Sequence, residues 1–242
     1  MPYYYGYGFD WTYLVIVLPC IILSMWASSS VNSTFKRYSQ VMSIRRITGA
    51  DAAQRVLNAN GVRGVRIERV AGNLTDHYDP KTNVIRLSDS VYGSTSVASI
   101  GVACHEAGHA VQYAQNYGPI KFRAAIIPIT NIGSKLAMPL ILAGILFSFL
   151  GNYSYALVYL GIAAFSLSLV FQLVTLPVEF NASRRAMEAI ASGGLLTEEE
   201  QRGARKTLKA AAMTYVAATA VALAQLVRLI VLFGGRGRRR NN

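Results

Sequence analysis

The stretch "VACHEAGHAVQ", residues 102–112, decides how this chain is read. Two of the chain's three histidines, His105 and His109, stand in it four positions apart, with Glu106 beside the first. Ser94 or Ser96 can cap a helix that runs through the stretch to about Tyr117, where Gly118-Pro119 end it. Residues four apart on a helix differ by about 40° in direction, so both imidazoles reach one ion from one face. Glu106 then lies within reach of a metal-bound water and is the candidate general base. The competing explanation is a chance H-E-x-x-H in a packed helix. The chain is poor in His and Glu, and two of its three histidines fall in this register, which favours a metal. Zinc wants about four ligands, one of them water in a catalytic site.

Working outward from the motif, long apolar runs dominate. Of 242 residues, 52% are apolar and only 15% are charged, against about 25% in ordinary soluble domains. The runs cover Trp11 to about Ser30, a stretch ending near Leu150, about Ala156 to Leu176, and Tyr215 to Phe233. Each is long enough to cross a bilayer. "MPYYYGYGFD" at the start lacks the basic region of a secretory signal. "FKRYSQVMSIRR", residues 35–46, follows the first run directly. By the positive-inside rule the tail before that run is outside and the following segment is cytoplasmic. "GNYSY", residues 151–155, is a short uncharged turn on the outside, and Pro177 marks the return to the cytoplasm. The last run holds Gln225 and Arg228, and if it spans, "GRGRRR" at 235–240 lies outside against the rule. Three or four spans are therefore expected.

The net charge of +12 follows from basic residues placed between or after apolar runs. That is the distribution of membrane topology and argues against nucleic acid as a partner. Cys20 and Cys104 make no disulfide framework and read as small apolar fillers. Between the first run and residue 120 lies a water-exposed part. Residues 49–60 have helical spacing stopped by Gly61, residues 62–72 alternate like a half-buried strand, and residues 73–88 read as strand, turn, strand. Four segments result: 1–35, tail and first span; 36–120, a small α+β part with the histidine helix; 121–178, two further spans; and 179–242, a cytoplasmic helix pair, the last apolar helix and a basic tail. The fold class is mainly α, a multi-pass membrane protein with a small zincin-like α+β part in the cytoplasm.

A third ligand must come from elsewhere. Gln112 and Gln115 occupy the positions where the extended metzincin motif needs Gly and His, which excludes that form. From Ala110 to Val178 there is no Asp, Glu, His or Cys. Glu179 is the first downstream donor, just past a span and on the same membrane side as the histidines. Glu188 is its rival, with an ion pair to Arg184 as the simpler account. Glu198 to Glu200 are explained by a capping box with Thr197. Upstream, Asp76, His77, Asp79 and Asp89 stay open, Asp79 and Asp89 reading as turn residues. His77, Arg184 and Arg185 are candidates to stabilise a transition state.

"LTDHYDP" (74–80), "VACHEAGHAVQ" and "LPVEFNASRRA" (176–186), in this order with spans between the last two, resemble the YugP-like neutral zinc metallopeptidases of bacterial membranes. The resemblance runs from about Tyr38 to Val231. It implies a zinc-dependent peptidase of the bacterial inner membrane, with one zinc per chain held by His105, His109 and Glu179 and with Glu106 as base. The chain is also similar to the CAAX-type and heat-shock zinc peptidases, which place an Asp four residues after the third ligand to orient a histidine. Here that position is Ser183. The function expected is an endopeptidase acting on peptide or protein at the cytoplasmic face, with Val84 to Leu87 as an edge for an extended substrate. An intramembrane (site-2-type) protease is the second class, but "YAQNYG" at 113–118 is too polar for a span. A metal-stabilised, non-catalytic membrane adaptor is the third, and it has no need of Glu106.

Overall fold

The computed structural model describes residues 10–147, 149 and 152–234. Most of "MPYYYGYGFD", the first residue of "GNYSY" and all of "GRGRRR" lie outside the described residues. The elements are a π-helical turn (Tyr13–Val17) leading into α1 (Leu18–Ser39), α2 (Gly49–Ala59), β1 (Arg66–Val70), β2 (His77–Asp79), β3 (Val84–Ser88), α3 (Val97–Ala114), α4 (Gly118–Leu146), α5 (Asn152–Ser192) and α6 (Glu198–Phe233). Contacts divide the chain into two compact units. One comprises Ala27–Ala125 with Val174–Tyr215, the other Met1–Trp26, Ile126–Leu173 and Val216–Asn242.

The first unit carries the sheet. Local signals set its helix ends. Thr48 and Asp51 close a capping box at α2. Ser96 rather than Ser94 caps α3, its side chain accepting from Ser99 N. Thr197 and Glu200 exchange the reciprocal bonds that open α6. Gly194, at φ +56°, takes the left-handed turn that ends α5. A residue with a Cβ would be strained there.

Strand order is β1-β3-β2. β3 pairs in parallel with β1, Arg66 opposite Val84, and antiparallel with β2, Tyr78 opposite Ile85. Asn83, at φ +54°, turns the β2–β3 hairpin. Val84, Ile85 and Leu87 are fully buried, as a central strand requires. This corrects the expectation that Val84 to Leu87 form an edge. β3 is paired on both sides, and β2 is an outer strand.

α3 is buried along most of its length. Ile100, Ala103, Cys104, Ala107 and Val111 join Leu57, Leu87, Ile190 and Leu195 in one core. Each large side chain there contributes about 1.5–3 kcal/mol on burial. A Cβ on Gly108 would come within 2.9 Å of the Ala182 carbonyl oxygen. The absent side chain lets the histidine helix press directly on α5.

The second unit is built from apolar helix segments. Arg228, the charge within the last apolar run, pairs with Asp10, and its guanidinium lies 5.3 Å from the Tyr13 ring centre. A cation in an apolar segment needs such a partner. Among the described residues, four helices are long and apolar enough to cross a membrane: Tyr13–Ser39, Gly118–Leu146, Tyr153–Ser192 and Glu198–Phe233. Pro177 does not interrupt α5, and Pro128 and Pro139 lie inside α4. One helix thus runs through Pro177 from the apolar run into the segment of Glu179, a tolerance of proline common in membrane helices.

Candidate metal centre

α3 presents His105 and His109 on one face, and α5 brings Glu179 against them. One donor atom from each lies within 4.8 Å of the others. Glu179 Oε2 is 3.3 Å from His105 Nε2 and 3.5 Å from His109 Nε2. A tetrahedral ion with bonds of about 2.0–2.1 Å would space its ligand atoms by about 3.3–3.4 Å. Oε2 is buried and makes no hydrogen bond. A buried anionic oxygen without a donor is costly unless a cation compensates it. The group therefore fits a zinc ion in spacing, donor type and charge.

Each donor is held from behind. Ser183 Oγ lies 3.1 Å from His105 Nδ1. His109 Nδ1 meets Gln112 Oε1 at 3.0 Å, and Gln112 Nε2 donates to Val178 O and Asn181 Oδ1, both at 2.9 Å. Because Gln112 Oε1 can only accept, it places the His109 proton on Nδ1 and leaves the Nε2 lone pair toward Glu179. Arg123 Nη1 donates to Glu179 Oε1 at 3.2 Å, leaving Oε2 to the histidines. Burial alone would lower the His109 pKa, but the Glu179 carboxylate at Nε2 and the Glu106 charge outweigh it, so the net shift is upward.

Beside these donors is a cavity of about 190 Å³ whose lining includes His105, Glu106, Glu179, Asp76, Ser183 and Tyr215. Glu106 is 9% exposed. Asp76 accepts from Ser88 N at 2.7 Å and from its hydroxyl. Burial pushes the Asp76 pKa up from its ordinary value; the Ser88 bonds oppose this and the Glu106 charge adds to it.

The other candidates lie elsewhere. His77 is exposed, its Nδ1 against Thr75 O. Asp79 caps its own turn through Lys81 N and Thr82, and Asp89 holds Arg69 and Gly72 N. Arg184 pairs with Glu188, and Arg185 reaches Asn181 and Gln115. Cys104 is fully buried, and burial pushes its thiol pKa up. The sequence alone does not mark Gln112, Arg123 or Tyr215 as residues of the site. Gln112 has a helical-spacing signal, three residues after His109, but Arg123 and Tyr215 have none.

A family model described as "Putative neutral zinc metallopeptidase" matches residues 13–234. The chain is 45% identical over 221 residues to "Putative membrane protease YugP" of Bacillus subtilis (strain 168), covering 91% of this chain and 96% of that relative. No solved structure matches.

Proposed function

This chain belongs to the family of neutral zinc metallopeptidases that carries that description, and from this premise we propose a zinc-dependent endopeptidase of the bacterial cell membrane. The observation that carries the reading is the convergence of His105, His109 and the orphaned Oε2 of Glu179 beside a cavity that Glu106 lines. These three residues would hold one zinc per chain. Bound there, zinc would polarise the scissile carbonyl and lower the pKa of water toward about 7.

The protein groups do the remaining work. Glu106 takes a proton from the attacking water and delivers it to the leaving nitrogen. Gln112 and Ser183 fix the two imidazole rings, and Arg123 fixes the carboxylate. Glu106, Gln112 and Glu179 are buried, which limits competing water at the base and the carboxylate. An extended substrate pairs along the outer strand β2, whose preceding residues Leu74 and Asp76 line the cavity.

Purified protein in detergent should carry about one zinc per chain and cleave peptides. Glu106→Gln should keep the zinc yet lose several orders of magnitude in rate, since base and water act as a unit. The His105→Ala/His109→Ala double variant should lose the metal. Stoichiometric zinc in that variant would sink the proposal, and full activity in Glu106→Gln would remove the base.

The site faces the cytoplasm, an orientation supported by the basic residues 35–46 after the first span. Reporter fusions near residues 60, 115 and 190 should all read cytoplasmic, and fusions at Tyr153–Tyr155 external. Opposite readings at 115 and 190 would contradict a site shared by α3 and α5.

A further inference from the structure

A second concavity lies between α5 and α6, with a volume of about 510 Å³. Phe180, Met187, Leu208 and Met213 give it an apolar lining, and Arg205 and Lys209 stand along its α6 side. It shares Ser183, Leu208 and Ala212 with the cavity that Glu106 and His105 line. Whatever occupies the groove therefore abuts the reactive centre, with Ser183, the partner of His105, in the shared wall.

The charges of the groove are unbalanced. On α5, Arg184 is matched by Glu188 at 2.5 Å. Arg205 and Lys209 are both exposed, and neither takes part in any ion pair among the described residues. Four residues apart on α6, they project to one side. Two like charges placed together cost a little unless an anion answers them. The two methionines adapt to apolar side chains of different shape.

We infer that this groove is a specificity subsite for the peptide substrate, taking a large apolar residue with an acidic residue next to it. The inference rests on the peptidase reading for its occupant. The apolar side chain fills the space between Met187 and Met213, and the carboxylate reaches Arg205 and Lys209. Charge complementarity of this kind selects among substrates more than it adds affinity.

The test uses full-length protein in detergent and three fluorescent peptides that differ at one position: Glu, Gln or Lys beside a Leu. Binding is read by anisotropy on the Glu106→Gln variant, cleavage on the wild type, with zinc content as the check on folding. The Glu peptide should bind and turn over roughly fivefold to tenfold better than the Lys peptide, as two exposed charge pairs allow. Arg205→Glu with Lys209→Glu should reverse that order and leave the Gln peptide unchanged. Arg205→Ala with Lys209→Ala should level all three, and it guards against misfolding of the charge reversal. Equal handling of the three peptides by wild type, no peptide binding, or an order unchanged by both double variants would overturn the subsite. So would a result in which these substitutions abolish binding to phosphatidylglycerol vesicles but not to peptide, which would give the groove to lipid. Charge-dependent binding without any cleavage would instead sink the peptidase reading and leave the groove standing.

Discussion

Glu179 and Glu188 sit nine residues apart on α5, and at about 100° per residue they face opposite ways. Both are glutamates past the end of the same apolar run, and in the sequence both are candidate ligands. Their surroundings separate them completely. The Glu179 side chain is 4% exposed, with an arginine at one oxygen and two histidines at the other. That of Glu188 is 59% exposed and answers Arg184 on the same helix. Burying a carboxylate costs several kcal/mol unless charges and donors replace its water. A chain keeps such a group where something cationic stands opposite, and the two imidazoles frame a place for it.

The comparison breaks or holds on bound zinc. Glu179→Ala removes one of the three donors and the negative charge of the proposed zinc site. It should weaken zinc binding by more than the tenfold to hundredfold that loss of a merely supporting partner costs. Activity should partly return at high added zinc if the fold survives. Glu188→Ala should leave zinc content and affinity unchanged. The measurement is metal stoichiometry after dialysis against graded chelator. Loss of zinc from Glu188→Ala with retention in Glu179→Ala would invert the assignment.

How much of this was legible beforehand depends on the range of the interaction. The α3 helix, its Ser96 cap, the β2–β3 hairpin and the Thr197–Glu200 box rest on residues within about one turn of each other, and the sequence displays such signals directly. The pair of histidines belongs to the same class. Strand order does not. Val84 to Leu87 are central because β1, some 20 residues earlier, pairs alongside in parallel. The continuity of α5 through Pro177 was hidden for a related reason, since proline marks a boundary in water and is tolerated where neighbours or an apolar setting support the helix. The partners of the site were the least legible. Arg123 reaches Glu179 from 56 residues away, and Gln112 acts only because α5 supplies a carbonyl at Val178 and an amide oxygen at Asn181. In the sequence Gln112 served only to exclude the metzincin pattern. Ser183 engages His105 through a hydroxyl from 78 residues away, across two different helices.

The smallest expected effect sharpens the contrast from the other side. Glu188 and Arg184 form an i,i+4 pair at 2.5 Å, with both side chains about 60% exposed. Water competes for both groups, and holding two long side chains together costs entropy. Pairs of this kind contribute about 0.3–0.5 kcal/mol, and salt screens them further. Their order along the helix, Arg before Glu, is also the weaker one. Glu188→Ala should therefore shift the denaturant midpoint of the zinc-loaded protein by an amount close to measurement error. The shift should shrink further at about 1 M salt, where the screening length falls to about 3 Å. A destabilisation above about 2 kcal/mol that salt does not reduce would mean that Glu188 compensates a buried charge after all. Its kinship with Glu179 would then extend beyond residue type, and the solvent-facing side of α5 would have to be redrawn.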